Sequence, residues 1–482
     1  MQDISGFAPG LDPTVPGVVI DCTNMLPSTN GMVAAGQGAD IGADALVSQS
    51  YGAACLLQLD GSSRMFAATS TAIYELVSGS WVDRSKGGGY TANGDWDFAQ
   101  FGNVTIATNY KDAVQSSTTG AFADLAGTPP KARLVATAPG FVMLFSYNDG
   151  VNTFGDGWWC SGLYDHTTWM PSPSTQAANG RLFDTVGEIT AAKSLGSAMA
   201  VYKDDAVYLG QYVGPPVIWQ WTLVATDSGA YSQGSVVNVA GVHYFLGNNG
   251  LFMYDGSRPV PIGAQEVREW LRQNINPEHV GNIVSGYDSK RSIVFWFFPS
   301  MLSTGICDEC IAYNTVTGKF GRFTKNVTDL VDFRALSLTW GDVGALASTW
   351  GAVGDLLTTW NDPILMGASV GLSFMSADGK LYKMDSNATN SSLTTGDFGD
   401  DVSLTTIKRV KPRFLRSPDS AQITHYYKRN EGDTLTQGVT VSMNDGKFDL
   451  LKSDRWHRVK FSFVGNCEIT AFDAALKSSG VR

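Results

Sequence analysis

The stretch Gly247-Asn248-Asn249-Gly250-Leu251-Phe252-Met253-Tyr254 decides the fold class of this chain. Asn and Gly in its first four positions favour a tight turn, because both tolerate the left-handed backbone that such turns require. The apolar and aromatic residues that follow favour an extended strand. The stretch therefore predicts the turn and second strand of a β-hairpin.

The same turn-and-strand pattern recurs along the chain. Three further copies begin at Ser70, Asp204 and Ala377, and three related strands that lack one element begin at Gly102, Gly140 and Ser289. Repeats of about 40 to 50 residues are typical of β-propellers, in which four-stranded sheets pack face to face around an axis. The seven units predict an all-β fold with a β-propeller, expected to be seven-bladed, over residues 46–395.

The two ends of the chain differ from this pattern. Residues 1–45 are rich in Pro and Gly and predict an extended arm with one strand at 17–22. Composition becomes linker-like at 385–401, and alternating strands return beyond it. Residues 396–482 are therefore predicted to form a C-terminal β-sandwich-like domain.

One helix is predicted in this β scaffold, at residues 265–274. Val267, Trp270 and Leu271 would share one face of it. The dipeptide Asn276-Pro277 would end it, because the residue before a proline avoids the helical region.

A ten-residue repeat interrupts the propeller pattern at about residues 336–362. It places Trp340, Trp350 and Trp360 each after a threonine. We interpret the repeat as a loop excursion from one blade. The three indoles either fill an apolar cluster under the loop or dock a neighbouring subunit, since aromatic residues are enriched at protein interfaces.

The charge distribution is acidic with one basic exception. The formal net charge of −11 speaks against general affinity for nucleic acid, and an acidic wall would let DNA slide past without binding. The exception is a set of five cations, Lys408, Arg409, Lys411, Arg413 and Arg416. These cations either alternate on a solvated strand face, contact an acidic face of an adjoining subunit, or contact DNA directly.

Motifs that carry chemistry are weak. Cys307 and Cys310 match half of a zinc site, but no second pair exists, so a hairpin turn is predicted there. Residues 148–157 crowd Asp and Asn among glycines without the final Glu of an EF-hand loop, so an ordinary turn is predicted. The five histidines show no spacing that suggests a catalytic triad. We expect no catalytic, cofactor-binding or metal-binding residues, no cofactor and no enzymatic activity.

The cysteines and the N-terminus indicate the compartment. The six cysteines are scattered, which favours folding in a reducing cytoplasm. The first residues lack the basic start and apolar core of a signal peptide. The longest apolar run, at 293–302, is too short to cross a bilayer.

Three stretches carry a resemblance to a known family. They are residues 6–27, with Gly6-Phe7-Ala8-Pro9-Gly10 and Asp21-Cys22-Thr23-Asn24-Met25, residues 96–103, and the ending Asp454-Arg455-Trp456-His457-Arg458-Val459-Lys460-Phe461. Together with the repeat from Trp340 to Trp360, they resemble phage virion proteins of the tail nozzle or hub type, also called packaged-DNA stabilisation proteins.

The resemblance implies a structural protein of a short phage tail. It implies a ring, expected to be a homohexamer, that extends the DNA channel below the portal and its adaptor, closes it until DNA ejection and anchors tail spikes or fibres. Genomic DNA would pass through the lumen without specific binding, and the subunit would be made in the host cytoplasm and reside in the virion tail. The family supplies no catalytic residues.

Two other functions fit a propeller. A carbohydrate-binding or carbohydrate-hydrolysing propeller would show repeated Ser-x-Asp-x-Gly-x-x-Trp boxes, of which only fragments such as Asp156-Gly157-Trp158-Trp159 are present. A generic scaffold for partner proteins would show WD-type dipeptide repeats, which the sequence lacks.

Overall fold

The computed structural model describes residues 2–334, 349, 351 and 370–480. These residues are mostly β-strand, which confirms the predicted all-β class. The predicted α-helix is present as Arg268–Asn274, three residues shorter at its start than predicted, and it buries Leu271. Two short 3₁₀ helices lie at Gln233–Ser235 and Pro277–Asn282. No helix in the described ranges has the length and apolar character needed to span a membrane.

Six four-stranded antiparallel sheets form a β-propeller arrangement. We call the first five blades 1 to 5 and the sixth, which combines distant parts of the chain, the closing blade. Blade 1 consists of Ala53–Leu57, Ser63–Ala68, Ile73–Val77 and Ser80–Asp83. Blade 2 consists of Asp97–Phe101, Val104–Thr108, Gln115–Ser117 and Ala123–Asp124. Blade 3 consists of Lys131–Ala138, Phe141–Asn148, Thr153–Cys160 and Ala178–Arg181. Blade 4 consists of Ile189–Leu195, Ala198–Lys203, Val207–Gly214 and Ile218–Ala225. Blade 5 consists of Val236–Val239, Val242–Gly247, Gly250–Tyr254 and Val260–Ile262. The closing blade consists of Asp329–Arg334, Val370–Met375, Leu381–Lys383 and Ala39–Asp40.

Two larger sheets contain the remaining strands. The ten-stranded sheet begins with a four-stranded meander, which consists of Val284–Asp288, Ile293–Phe298, Cys307–Asn314 and Phe320–Val327. Beyond the meander the strand order is Met25–Pro27, Met32–Ala34, Glu468–Gly480, Leu404–Arg416 and Phe448–Asp454. The tenth strand, Gln2–Asp3, pairs with Glu468–Gly480. The seven-stranded sheet runs in the order Gly6–Phe7, Val18–Thr23, Asn390–Thr395, Trp456–Val464, Ser420–Lys428 and Thr436–Ser442, and Phe398–Gly399 pairs with Trp456–Val464.

Successive blades bury apolar side chains against each other. Phe66 of blade 1 packs near Ala107 of blade 2, and the same kind of core joins blades 2 and 3, blades 3 and 4, and blades 4 and 5. The core between blades 3 and 4 contains Phe145 and Tyr208, both fully buried. A sheet with two apolar faces cannot be stable alone, so each blade depends on its neighbours.

The seven turn-and-strand units of the sequence each lie in a separate four-stranded meander. Five lie in blades 1 to 5, one lies in the closing blade, and the unit that begins at Ser289 lies in the 284–327 meander. The predicted turn within residues 148–157 is confirmed, because it joins two strands of blade 3 and its Asp149 carboxylate accepts hydrogen bonds from the N–H groups of Val151 and Asn152.

The first 40 residues contribute more than the expected arm with one strand. The predicted strand is present as Val18–Thr23, but five other short strands accompany it. Gln2–Asp3, Met25–Pro27, Met32–Ala34 and Ala39–Asp40 each pair with a strand hundreds of residues away, which no local pattern announces. Met25–Pro27 and Met32–Ala34 also pair with each other, and Gly6–Phe7 pairs with Val18–Thr23.

Candidate functional site

The five predicted contact cations lie together on one strand, Leu404–Arg416, of the ten-stranded sheet. We call this set, Lys408, Arg409, Lys411, Arg413 and Arg416, the basic face. All five side chains are exposed, whereas Ile407 and Val410 between them are fully buried. The strand therefore turns its apolar side to the core and its charges to the surface, in agreement with a solvated strand face. Contact with a neighbouring subunit stays a prediction.

Acidic residues of the neighbouring strands accompany the basic face. Arg409 forms an ion pair with Asp449 at 2.6 Å, with both side chains about half exposed. Lys411 stands opposite Asp473 and Arg416 stands opposite Glu468 in the strand register. Exposed ion pairs contribute at most about 1 kcal/mol, so the pair of Arg409 and Asp449 is weak enough to be exchanged for another partner on binding.

The charge of the chain is divided unevenly between its two parts. Residues 396–482 contain 14 Lys and Arg and 11 Asp and Glu, which gives a net charge of +3. Residues 1–395 contain 20 Lys and Arg and 34 Asp and Glu, which gives −14. The basic face thus belongs to the positive part of a protein whose propeller is strongly negative.

The predicted contact residues Trp340, Trp350 and Trp360 lie outside the described residues. The segment that contains them connects Asp329–Arg334 to Val370–Met375, the first two strands of the closing blade. The segment therefore lies, in the sequence, between two strands that pair with each other.

A cavity of about 770 Å³ lies where the first strands of the blades meet, and sequence reasoning did not find it. The first strand of each blade, or the segment that leads into it, contributes to the wall. We call it the axial cavity and define it by its ionisable lining, Asp95, Asp97, Arg133, Glu188, Lys193, Asp204 and Asp329. Asp97 and Asp329 are each the first residue of their strand, as Lys131 is in blade 3, so this position alone does not mark them as cavity residues.

Asp97 is held by neutral and cationic groups. It accepts hydrogen bonds from the N–H of Val135 at 2.8 Å and from Nε2 of Gln233 at 3.3 Å. Burial raises the pKa of Asp97 to about 7, against the opposing effects of the Val135 N–H and the Lys193 ammonium. Burial in turn lowers the pKa of Lys193.

Asp329 is more isolated. Its side chain is 9% exposed, and Oδ2 has no hydrogen-bond partner among the described residues. Burial raises the pKa of Asp329 to about 7, although the Ser50 hydroxyl and the Ala53 N–H act in the opposite direction. A carboxyl in this state is poised to lose its proton when a positive group approaches.

The predicted hairpin turn at Cys307 and Cys310 is wrong. Both residues lie in the strand Cys307–Asn314, and both are buried in the core between the meander and the closing blade. A register shift between Cys307 and Glu309 lets both thiols enter the same core in spite of their odd spacing. Burial raises the pKa of each thiol, which makes them unreactive. No group of three or more His, Cys, Asp or Glu side chains in the described ranges is arranged to hold a metal ion.

Two histidines that the sequence left unconnected meet in the structure. Nε2 of His425 and Nδ1 of His457 are 3.0 Å apart on paired strands, and Nε2 of His457 lies 3.0 Å from the Thr405 hydroxyl. Both rings are fully buried, so no substrate can reach them. Burial lowers the pKa of His425 to about 4 and lowers the pKa of His457 in the same direction. The pair is a structural element of the C-terminal strands.

Comparisons with known proteins add the following findings. No protein-family model matches the chain, and no curated protein sequence matches it. Among solved structures, a chain from the crystal structure of the mitotic checkpoint complex has a TM-score of 0.41 and 8% identity, with 74% of this chain and 96% of that chain covered. YCF48 bound to a D1 peptide has a TM-score of 0.39 and 9% identity, with 74% and 97% covered. Likeness at this level supports no inference about function, and the propeller assignment depends on the strand topology.

Proposed function

We propose that this chain is a non-enzymatic structural subunit of a short phage tail, of the nozzle or hub type, that assembles into a ring. One observation carries the proposal: the segments at both ends of the chain that carry the family resemblance meet in the same two sheets. Val18–Thr23 and Trp456–Val464 both pair with Asn390–Thr395 in the seven-stranded sheet. The resembling residues are therefore part of a shared scaffold rather than of unrelated surface loops.

Gly17 supports the same scaffold at its N-terminal end. Its φ of +79° lies in the left-handed region, and a Cβ atom at this position would collide with the carbonyl oxygen of Asp3. Only glycine allows the chain to pass there. The Pro-Gly-rich opening thus has a structural reason in this fold.

We also propose that the propeller has seven blades. We infer that the 284–327 meander is a seventh blade, because Trp296 shares a core with Leu246 of blade 5 and Phe295 shares another with Phe374 of the closing blade. The closing blade in turn packs on blade 1 through Met375. Seven four-stranded units then complete the circle.

The C-terminal strands are proposed to form a β-sandwich-like domain. Ile407 and Phe448 of the ten-stranded sheet share one buried core with Ile423 and Phe461 of the seven-stranded sheet. Two sheets that share a core in this way are typical of a sandwich. The division into an N-terminal segment (1–45), a propeller (46–395) and a C-terminal domain (396–482) stays a proposal with two exchanges across its bounds. Ala39–Asp40 completes the closing blade, and Asn390–Thr395 pairs within the seven-stranded sheet.

Charge asymmetry supports assembly into a ring. A head-to-tail contact between the positive C-terminal part of one copy and the negative propeller of the next is heterologous, and such contacts close into rings when the rotation permits. The resemblance leads us to expect six copies, placed below the portal-adaptor in the virion tail, with spikes or fibres as further partners. The acidic balance would let DNA pass through the lumen without specific binding.

Charge reversal on the basic face tests this contact. The variant Lys411→Glu with Arg413→Glu is compared by sedimentation velocity with the control Lys111→Glu with Lys290→Glu, which changes the charge equally at exposed positions of the propeller and the meander. We expect the first variant to lose assembly at low salt, and wild-type assembly to weaken at high salt. The control should assemble as the wild type or more tightly. Equal assembly of both variants would contradict the proposed contact.

A further inference from the structure

Asp329 belongs to the wall of the axial cavity, and its Oδ2, which is shielded from solvent, has no hydrogen-bond partner among the described residues. We propose that this cavity binds an organic cation, an alkylammonium or guanidinium group, with the carboxylate of Asp329 as its anchor. The inference concerns the propeller alone and does not depend on the proposed tail function.

Within the described ranges, Asp329 has only neutral hydrogen-bond neighbours. Its neighbours Ser50 and Ala53 offer neutral hydrogen bonds, and Oδ2 has no hydrogen-bond partner among the described residues. Among the described residues, the groups that lower the pKa of Asp329 are the Ser50 hydroxyl and the Ala53 N–H, and neither carries a charge. A buried carboxylate without a cation is costly, so it either stays protonated or acquires a positive partner.

Acidic residues outnumber basic residues in the lining of the cavity. Its lining contains five carboxyl groups and only two cations. Both cations are engaged elsewhere: Arg133 lies 3.4 Å from Asp95 and 3.9 Å from Glu188, and Nζ of Lys193 donates to the carbonyl oxygen of Val236. The contacts of Arg133 and Lys193 are therefore with groups other than the Asp329 carboxyl.

The other residues of the lining indicate which kind of cation fits the cavity. The lining includes the aromatic residues Tyr51 and Tyr231, a residue type that packs well on a methylene chain or an ammonium group. A compact divalent ion needs several ligating side chains close together, and the described residues contain no such group. The chemistry thus favours an extended organic cation. Its source is either a free polyamine or a Lys or Arg side chain of a neighbouring copy.

Isothermal titration calorimetry of spermidine into the full chain near pH 8, where Asp329 is ionised, tests the inference. We expect saturable binding for spermidine and none for the neutral analogue 1,4-butanediol. Asp329→Asn should weaken spermidine binding tenfold or more. The matched control is Asp205→Asn, which changes the charge equally at an exposed residue that lines a different pocket. That control should bind spermidine as the wild type does.

Several outcomes would overturn the inference. They are absence of spermidine binding, equal loss of affinity in both variants, full affinity in Asp329→Asn, or binding of a neutral oligosaccharide in place of the amine. The two sources of the cation are separated by light scattering. Spermidine that binds without altering assembly identifies a free amine as the ligand. Spermidine that dissociates assembled copies identifies a side chain of the neighbouring copy.

Discussion

The buried pair His425 and His457 makes the C-terminal strands sensitive to acid. The perturbation is a change from about pH 7 to about pH 5, applied to the wild type and to His425→Asn. In the unfolded chain a histidine takes up its proton near pH 6.5, whereas burial lowers the pKa of His425 to about 4 in the folded protein. Between these values the unfolded state binds more protons, so stability falls as the pH falls through this window.

The magnitude follows from the two pKa values. A shift from 6.5 to about 4 makes the folded state lose about 2 kcal/mol relative to the unfolded state between pH 7 and pH 5. His457 adds to this loss, since its pKa is also lowered by burial. The variant His425→Asn should be less stable at pH 7, because a buried hydrogen bond is changed, but it should lose about 2 kcal/mol less on acidification.

Urea unfolding followed by circular dichroism at the two pH values measures this difference. His166→Asn is the control, because it removes a half-buried histidine from a propeller loop that lies outside the C-terminal pair. It should show the same acid-induced loss as the wild type. An equal acid-induced loss in His425→Asn would refute the reasoning, since the buried ring would then not be the group that titrates.

Two further predictions concern buried carboxyl groups. The Asp397 side chain is 1% exposed and forms ion pairs with Lys428 at 2.9 Å and with Arg458 at 2.7 Å. Asp397→Asn should therefore lower the free energy of unfolding, measured in urea, by about 3–5 kcal/mol. The control Asp449→Asn, at an exposed ion pair, should lower it by less than about 1 kcal/mol. Burial raises the pKa of Asp329 to about 7, so its ionisation costs stability increasingly as the pH rises. Relative to the wild type, Asp329→Asn should gain roughly 2–3 kcal/mol between pH 5 and pH 8, and a flat difference across this range would contradict that ionisation cost.

The sequence predicts those parts of the fold whose signal is local. Each turn-and-strand unit, such as 247–254, is a hairpin whose turn residues and apolar strand are adjacent, so it can be recognised without knowledge of its partners. The helix Arg268–Asn274 is recognisable for the same reason, although the sequence predicts its start three residues early because Val267 caps the helix rather than lying within it.

Long-range pairing could not be predicted in this way. Ala39–Asp40 completes a blade with Leu381–Lys383, and Met32–Ala34 pairs with Glu468–Gly480. Strands of two or three residues carry no periodicity, and their partners are set by the tertiary fold.

The candidate sites differ in the same way, because one depends on a local sequence signal and the others depend on long-range contacts. The basic face was predictable because its five cations lie within nine consecutive residues of one strand. The axial cavity was not, because Asp97 and Asp329 are 232 positions apart in the sequence and meet only through the circular order of the blades. The buried histidine pair depends in the same way on the pairing of two strands.

The mass of the purified chain, measured by light scattering with negative-stain imaging, tests the central claim most directly. It is measured alone and together with a portal-adaptor complex. The account predicts rings of defined symmetry, formed by the chain alone or on the portal-adaptor complex. A stable monomer that ignores these partners would contradict the assignment to a tail ring.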